Sequence, residues 1–355
     1  MQGMNVSYYD TLMPVAALGD GLRAAVAGLR LPCRAVVSVA TPAGRIVVAF
    51  ISDSPRLSHM VAANWAQGSA DAEPDATLYA LAQPASGYGL AGTWDGTRWW
   101  SRDEKAMVVF GFGSYRLAKV CIRGICSAVS GDDILFLHGC ALSVGVGGDR
   151  RGVVITGGSG AGKTTLVAGL LTHAEYPVTV LNDDWGAVLL SSGESVFTGE
   201  RMLHMKSSSV LALRPGFFTS ARRDSYSYDL SELDRTARML VCPEEVFGTR
   251  WDPSAVVIEQ VVAIVREPPG WVAPRHEAEA VRMLRSGGHL GAAHHEAFFN
   301  GSLILRTRDD ELREECRYQR FLDRTAVSWI NNCGTSEELA ESFISAVGLA
   351  RNVAE

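Results

Sequence analysis

Short runs of Val, Ile, Leu and Ala recur along the chain, separated by polar turns and by stretches with helical spacing. That alternation predicts a mixed α/β protein. Residues 22–29 read as a short helix stopped near Pro32. Residues 35–40 and 45–50 read as strands joined by the turn Thr41-Pro42-Ala43-Gly44, and residues 76–81 as a third strand after a loop over 67–75. The stretch Trp94-Asp95-Gly96-Thr97-Arg98-Trp99-Trp100 reads as a hairpin whose tryptophans serve packing. Leu117, Val120, Cys121 and Ile125 give residues 115–129 helical spacing, suited to a link between two domains.

The pattern then tightens. Residues 134–144 form an apolar, strand-like run interrupted by a lone histidine, His138. A glycine-rich turn over 145–149 leads into the β-branched run 152–156, so a hairpin is expected there. A helix over 165–171 and a strand over 176–181 follow, and residues 187–190 continue as a hairpin strand through Ser191-Ser192-Gly193. The strongest strand signal, residues 256–265, belongs in the middle of a sheet. Residues 275–285 read as a helix stopped at Gly287-Gly288. Thr335-Ser336-Glu337-Glu338 opens a closing helix that runs to about Val347.

A chain of 355 residues accommodates two domains. Residues 1–125 carry no catalytic constellation and read as a mixed, mostly β accessory domain, suited to substrate recognition. Residues 126–355 form the second domain. A net charge of −6 argues against a general nucleic-acid or membrane-surface binder. No run is apolar for long enough to span a bilayer, and the first residues lack a secretion signal. The seven cysteines are scattered and form no C-x-x-C pair, so reduced cytoplasmic thiols are expected.

Between the expected strand and helix lies Gly157-Gly158-Ser159-Gly160-Ala161-Gly162-Lys163-Thr164, which fits G-x-x-x-x-G-K-[ST] at every fixed position. Glycines let a backbone wrap so that successive N–H groups point inward at phosphate oxygens, and a helix N-terminus adds positive charge at the same point. Lys163 is expected to reach the β- and γ-phosphates of a nucleotide, with the Thr164 hydroxyl on Mg²⁺ and Thr165 beside it. The next strand ends in Asn182-Asp183-Asp184. Two carboxylates there, one short helix after the loop, suit a metal-dependent phosphate site: one to hold Mg²⁺, one to accept the proton of an attacking hydroxyl. The same residues also suit an Asx turn. The Ser-rich, basic stretch 217–228, with Arg222 and Arg223, suits either a lid that closes on phosphate or a solvated loop. His294-His295-Glu296 fits no two-His zinc spacing and reads as a polar helix face.

Leu137-His138-Gly139-Cys140-Ala141, the glycine loop and Asn182-Asp183-Asp184, in that order, resemble the catalytic half of the HPr kinase/phosphorylase family and, more distantly, phosphoenolpyruvate carboxykinase. The likeness covers about residues 134–265. It implies a P-loop nucleotide-binding domain of that type and a transferred phosphate surrounded by His138, Asp183 and Asp184, one Asp serving as general base toward a serine hydroxyl. The family's Glu-x-Arg-Gly signature is represented by His204-Met205-Lys206-Ser207. A positive charge stays at Lys206, a candidate phosphate contact, while the acid and the glycine do not, which points away from HPr as acceptor and from phosphorylase activity. The chain is more similar to divergent HPr-kinase-like proteins of biosynthetic clusters, including kinases of a serine on lasso-peptide precursors. HPr kinases assemble through this half of the chain, which leaves a homo-oligomer open.

The expected activity is therefore an ATP- and Mg²⁺-dependent transfer of the γ-phosphate to a hydroxyl, a serine of a peptide or protein. Asp183 is the favoured Mg²⁺ ligand with Thr164, Asp184 the favoured base, and Lys163 with the loop amides the holder of the phosphates. Lys206, Arg222 and Arg223 would neutralise charge as a lid closes. A small-molecule kinase on the same fold and a non-catalytic nucleotide-binding regulator remain as alternatives.

Overall fold

The computed structural model describes residues 22–69, 71–88, 98–110, 115–145, 150–158, 160–172, 177–183, 185–197, 200–214, 238–252, 254–268, 270–273, 278, 280–281, 284 and 308–349. They form two compact units whose main boundary falls between Gly131 and Asp132. Both mix helices with sheets that contain parallel and antiparallel pairs. Among the described residues no helix is long and apolar enough to cross a membrane. The sequence features at residues 94–97, 217–228 and 294–296, and most of the helix expected over 275–285, lie outside the described residues.

The first unit contains α1 (Leu22–Ala27), β1 (Cys33–Thr41), β2 (Gly44–Ser52), α2 (Pro55–Asn64), β3 (Ala76–Ala80), β4 (Arg98–Ser101), β5 (Ala106–Val109) and α3 (Tyr115–Val129). Its sheet runs β1-β2-β3-β5-β4, with β2, β3 and β5 parallel. The crossover from β2 to β3 is α2, which the sequence reading missed. Ser54 caps it by accepting the Leu57 N–H at 3.3 Å, and Pro55 fills the first turn where no N–H is needed. The observed hairpin is β4–β5, turning over residues 102–105, with Trp99 and Trp100 buried as packing groups. Helix α3 begins at Tyr115, as the spacing predicts.

The second unit contains β6 (Ile134–Leu137), β7 (Cys140–Val144), β8 (Arg151–Gly157), α4 (Lys163–Thr172), β9 (Val178–Asn182), β10 (Gly186–Leu189), β11 (Glu194–Phe197), β12 (Leu203–Lys206), α5 (Ser207–Leu213), β13 (Arg238–Val241), α6 (Pro243–Phe247) and β14 (Val256–Val265). After α7 (Arg308–Leu322), which starts in the first unit, come β15 (Ala326–Asn331) and α8 (Ser336–Val347). The main sheet runs β6-β10-β11-β14-β8-β7-β9, with β15 beside β14, and β12 pairs with β13 apart from it.

Side chains alternate between the two faces of the sheet along β8 and β14 with the period of two that a strand imposes. Val153, Ile155, Val262 and Ile264 pack into a cluster with Leu166, Val167 and Leu170 of α4 and Phe343 of α8. Val154, Val261 and Ala263 pack into another with Tyr318 and Phe321 of α7. A sheet covered on both faces explains the near-continuous apolar text of β8 and β14. Each such Leu, Ile or Phe contributes about 1.5–3 kcal/mol relative to an exposed side chain.

The apolar run over 134–144 is two strands, not one. Residues up to Leu137 pair with β10, whereas those from Cys140 pair with β8 and β9. The break falls at His138-Gly139. A Cβ on Gly139 would collide with the Ile155 carbonyl, so only glycine lets the chain pass this close to β8.

Candidate active site

Strands β8, β14 and β15 are parallel, and β7 runs antiparallel between β8 and β9. The carboxyl ends of β8, β14, β15 and β9 and the start of β7 therefore share one edge of the sheet. In α/β proteins that edge is where ligands bind.

The glycine loop leaves β8 at this edge. Gly157, Gly160 and Gly162 have φ of +152°, +86° and +114°, which side-chain-bearing residues rarely adopt. Space adds a second constraint: a Cβ at Gly157 would meet the Ile264 carbonyl, and one at Gly162 the Asn332 side chain. The Ala161 N–H donates to the Gly158 carbonyl at 3.1 Å, closing the loop on itself. The Leu166 N–H donates to the Gly162 carbonyl at 2.8 Å and starts α4. The Lys163 ammonium folds back to donate to the Gly157 carbonyl and, at 3.3 Å, to that of Gly158. Thr164 is half-buried and Thr165 exposed in the first turn of the helix. Ser159, within the loop, lies outside the described residues.

Asn332, just past β15, braces this loop and was missed in the sequence. Its side-chain amide donates to the Ala161 carbonyl at 2.7 Å, and its own N–H donates to the Val265 carbonyl at 2.8 Å. One residue thus ties the loop to the end of β14.

His138 is buried at the turn into β7, and its carbonyl accepts the Thr156 hydroxyl at 2.9 Å, one residue before the loop. Its place beside the loop strand is the one the expected hairpin implies. Asn182, buried at the end of β9, accepts the Ala141 N–H on its side-chain oxygen at 3.2 Å. Asp183 follows, half-buried. Trp185, fully buried, stacks on Phe136 with centroids 4.4 Å apart and planes 12° apart. Asn182 and Trp185, which flank the acidic pair in the sequence, are thus both held by the sheet. Asp184 lies outside the described residues, as do Arg222 and Arg223. Lys206 ends β12, opposite Arg238 of β13, and leads directly into α5.

The edge thus brings together Gly157, Gly158, Gly160, Ala161, Gly162, Lys163, Thr164, His138 and Asp183. A loop with positive φ at three glycines, a lysine and the start of α4 are groups that suit a polyanion. Among the described residues no cluster of three or more His, Cys, Asp or Glu could hold a metal. A Mg²⁺ ion bound with a nucleotide needs fewer protein ligands, because phosphates and water complete its shell. The hard oxygens of Thr164 and Asp183 suit it. No family model matches the chain, and no curated protein matches it. In class, the molecule is a mixed α/β protein with a glycine loop at the carboxyl edge of its larger sheet.

Proposed function

We propose that the protein is an ATP- and Mg²⁺-dependent phosphotransferase that moves the γ-phosphate to a hydroxyl, a serine of a peptide or protein. The observation that carries this reading is the position of the glycine loop. It joins a buried strand to a helix at the sheet edge where Asp183 and His138 also lie. The order of His138-Gly139, loop and Asp183-Asp184 adds the resemblance to the HPr kinase/phosphorylase family and a P-loop fold of the carboxykinase type.

In this mechanism the loop amides and Lys163 hold the β- and γ-phosphates, Lys163 exchanging its two carbonyl acceptors for phosphate oxygens. Thr164 and Asp183 would hold Mg²⁺, which neutralises charge as the phosphoryl group leaves. Asp184 accepts the proton of the attacking hydroxyl. Phosphoryl transfer has a loose transition state, so positioning and charge neutralisation carry most of the rate. Lys206, Arg222 and Arg223 are assigned to charge neutralisation around the phosphates. We assign the reaction to the cytoplasm, on the scattered cysteines and the supply of ATP there.

The test is transfer of a γ-labelled phosphate with Mg²⁺, offering the protein alone, a cell extract, and peptides encoded beside its gene. We expect label on a peptide or protein with the wild type. With Asp184→Asn we expect a loss of about 10³-fold or more, with ATP affinity within a few-fold of wild type. Retained transfer by the variant would overturn the assignment of the base. Label confined to small molecules would transfer the reading to a metabolite kinase. Tight ATP binding without any transfer would leave a nucleotide-binding regulator.

A further inference from the structure

The face of α4 turned away from the core is the floor of a cleft. Leu166, Val167 and Leu170 point into the core, while Thr164, Thr165, Ala168 and Gly169 line a cavity of 350 Å³. Its walls are Ser208 and Ser209 of α5 and Ser336, the first residue of α8. That volume suits a small organic ligand, since such clefts run from about 300 to 1,000 Å³. The polar groups of the lining are of one kind. Thr164, Thr165, Ser208, Ser209 and Ser336 offer hydroxyls, and among the described lining residues none carries a charge or a carboxamide.

We propose that this cleft takes the ribose and base of the nucleotide, and that it accepts adenine and guanine alike. The proposal rests on the triphosphate reading given above. Lys163 and Thr164 engage the reacting end of the phosphate chain. Thr165 lies one residue further on, and Ala168 and Gly169 lie one helical turn beyond, on the same face. A triphosphate laid along the loop therefore delivers its nucleoside over Gly169. Selection of guanine would call for a fixed acceptor facing its N1–H and amino group, and selection of adenine for a fixed acceptor at its amino group with a donor at N1. A hydroxyl both donates and accepts, and it rotates to suit. A lining of hydroxyls therefore satisfies either edge and penalises neither.

Gly169 is the specificity-determining position for having a nucleoside at all. A Cβ there would lie 3.6 Å from the Ser336 carbonyl oxygen and 3.7 Å from the Ala340 Cβ, which is ordinary contact. A longer side chain would occupy the space between α4 and α8 at the head of the cleft.

The experiment measures binding of fluorescent N-methylanthraniloyl ATP and GTP to the full chain with Mg²⁺, and of inorganic tripolyphosphate by competition. It uses wild type, Gly169→Leu and Ser208→Phe. Ser208 is exposed on α5, so its variant carries the test if Gly169→Leu does not fold. We expect the two nucleotides to bind wild type within about threefold of one another, and each variant to weaken both by about tenfold or more while tripolyphosphate stays within about twofold. A preference of more than about tenfold for one purine would overturn the indifference to base, and unchanged nucleotide affinity in the variants would overturn the placement. Tripolyphosphate that binds wild type as tightly as the nucleotides would sink the cleft and leave the phosphate loop standing. Failure of all three ligands to bind wild type would sink the triphosphate reading itself.

Discussion

Each unit has an edge where the carboxyl ends of parallel strands come together, and the two edges are finished in opposite ways. In the first unit, the segments that follow β2 and β3 bond one another through their polar groups. The Ser52 hydroxyl, fully buried, donates to the Ala80 carbonyl at 2.7 Å and accepts the Ser54 N–H at 3.0 Å. Asp53 accepts the Ala82 N–H at 3.0 Å and the Tyr88 hydroxyl. Burial, with the bond to Asp53, pushes Tyr88 up to about 12. Ser54 is engaged in capping α2. In the second unit the corresponding turn is a run of glycines. Its backbone is shaped by positive φ and braced from outside by Asn332. Beside it, hydroxyls line a cleft. Strand topology makes an edge in each unit: the first is held by side-chain bonds between its turns, the second by glycine backbone shape and by bonds from Lys163 and Asn332 to the loop carbonyls.

The sharpest way to break this comparison is at Lys163. Lys163→Ala removes the one cation of the loop and is expected to lower phosphate transfer by about 10³-fold or more while leaving the thermal unfolding midpoint within a few degrees. Asn332→Ala comes next. It leaves the Ala161 carbonyl without its amide donor, so the loop loses its brace. We expect nucleotide affinity about tenfold weaker by titration calorimetry and stability lower by about 1 kcal/mol. Ser52→Ala makes the reverse cut. It should cost the first unit about 1 kcal/mol by denaturant unfolding and leave nucleotide affinity unchanged. An affinity change there would show that the self-satisfied edge takes part in binding.

The smallest effect concerns pH. Bonds from Ser254 and then Arg150 hold the Asp252 carboxyl below its ordinary range, and Asp252 also donates its backbone N–H to Val180 at the edge strand β9. A carboxyl lowered in the folded state contributes stability that is present above its unfolded pKa and lost as pH falls through its folded pKa. Asp252→Asn should therefore melt slightly below wild type at pH 7, and the gap should close as pH drops below about 4. A gap that persists at low pH would assign the effect to packing.

Local chemistry explains what could be read from the sequence. The strand, glycine loop and helix from Arg151 to Thr172 are specified by neighbouring residues, and so is the Thr335–Glu338 capping box, where Thr335 accepts the Glu338 N–H at 3.2 Å. Helix α2 was missed although Ser54-Pro55 is a start signal, because only Leu57, Val61 and Asn64 of its ten residues are buried and its apolar stripe is thin. The division of residues 134–144 at His138 depends on pairing with β10, β8 and β9, none of which a local window contains. Asn332 could not be found by pattern at all. It acts across 171 residues on the loop it braces, and an asparagine after a strand reads as a turn.

The proposal that the glycine-loop edge binds nucleotide and the edge of the first unit does not is tested most directly by amide hydrogen exchange of the full chain with and without Mg²⁺ and a non-hydrolysable ATP analogue. The account predicts slower exchange on nucleotide addition at residues 157–169 and 332–336, with residues 52–54 and 80–88 unchanged. Protection at 52–54 and 80–88 with none at the glycine loop would contradict it.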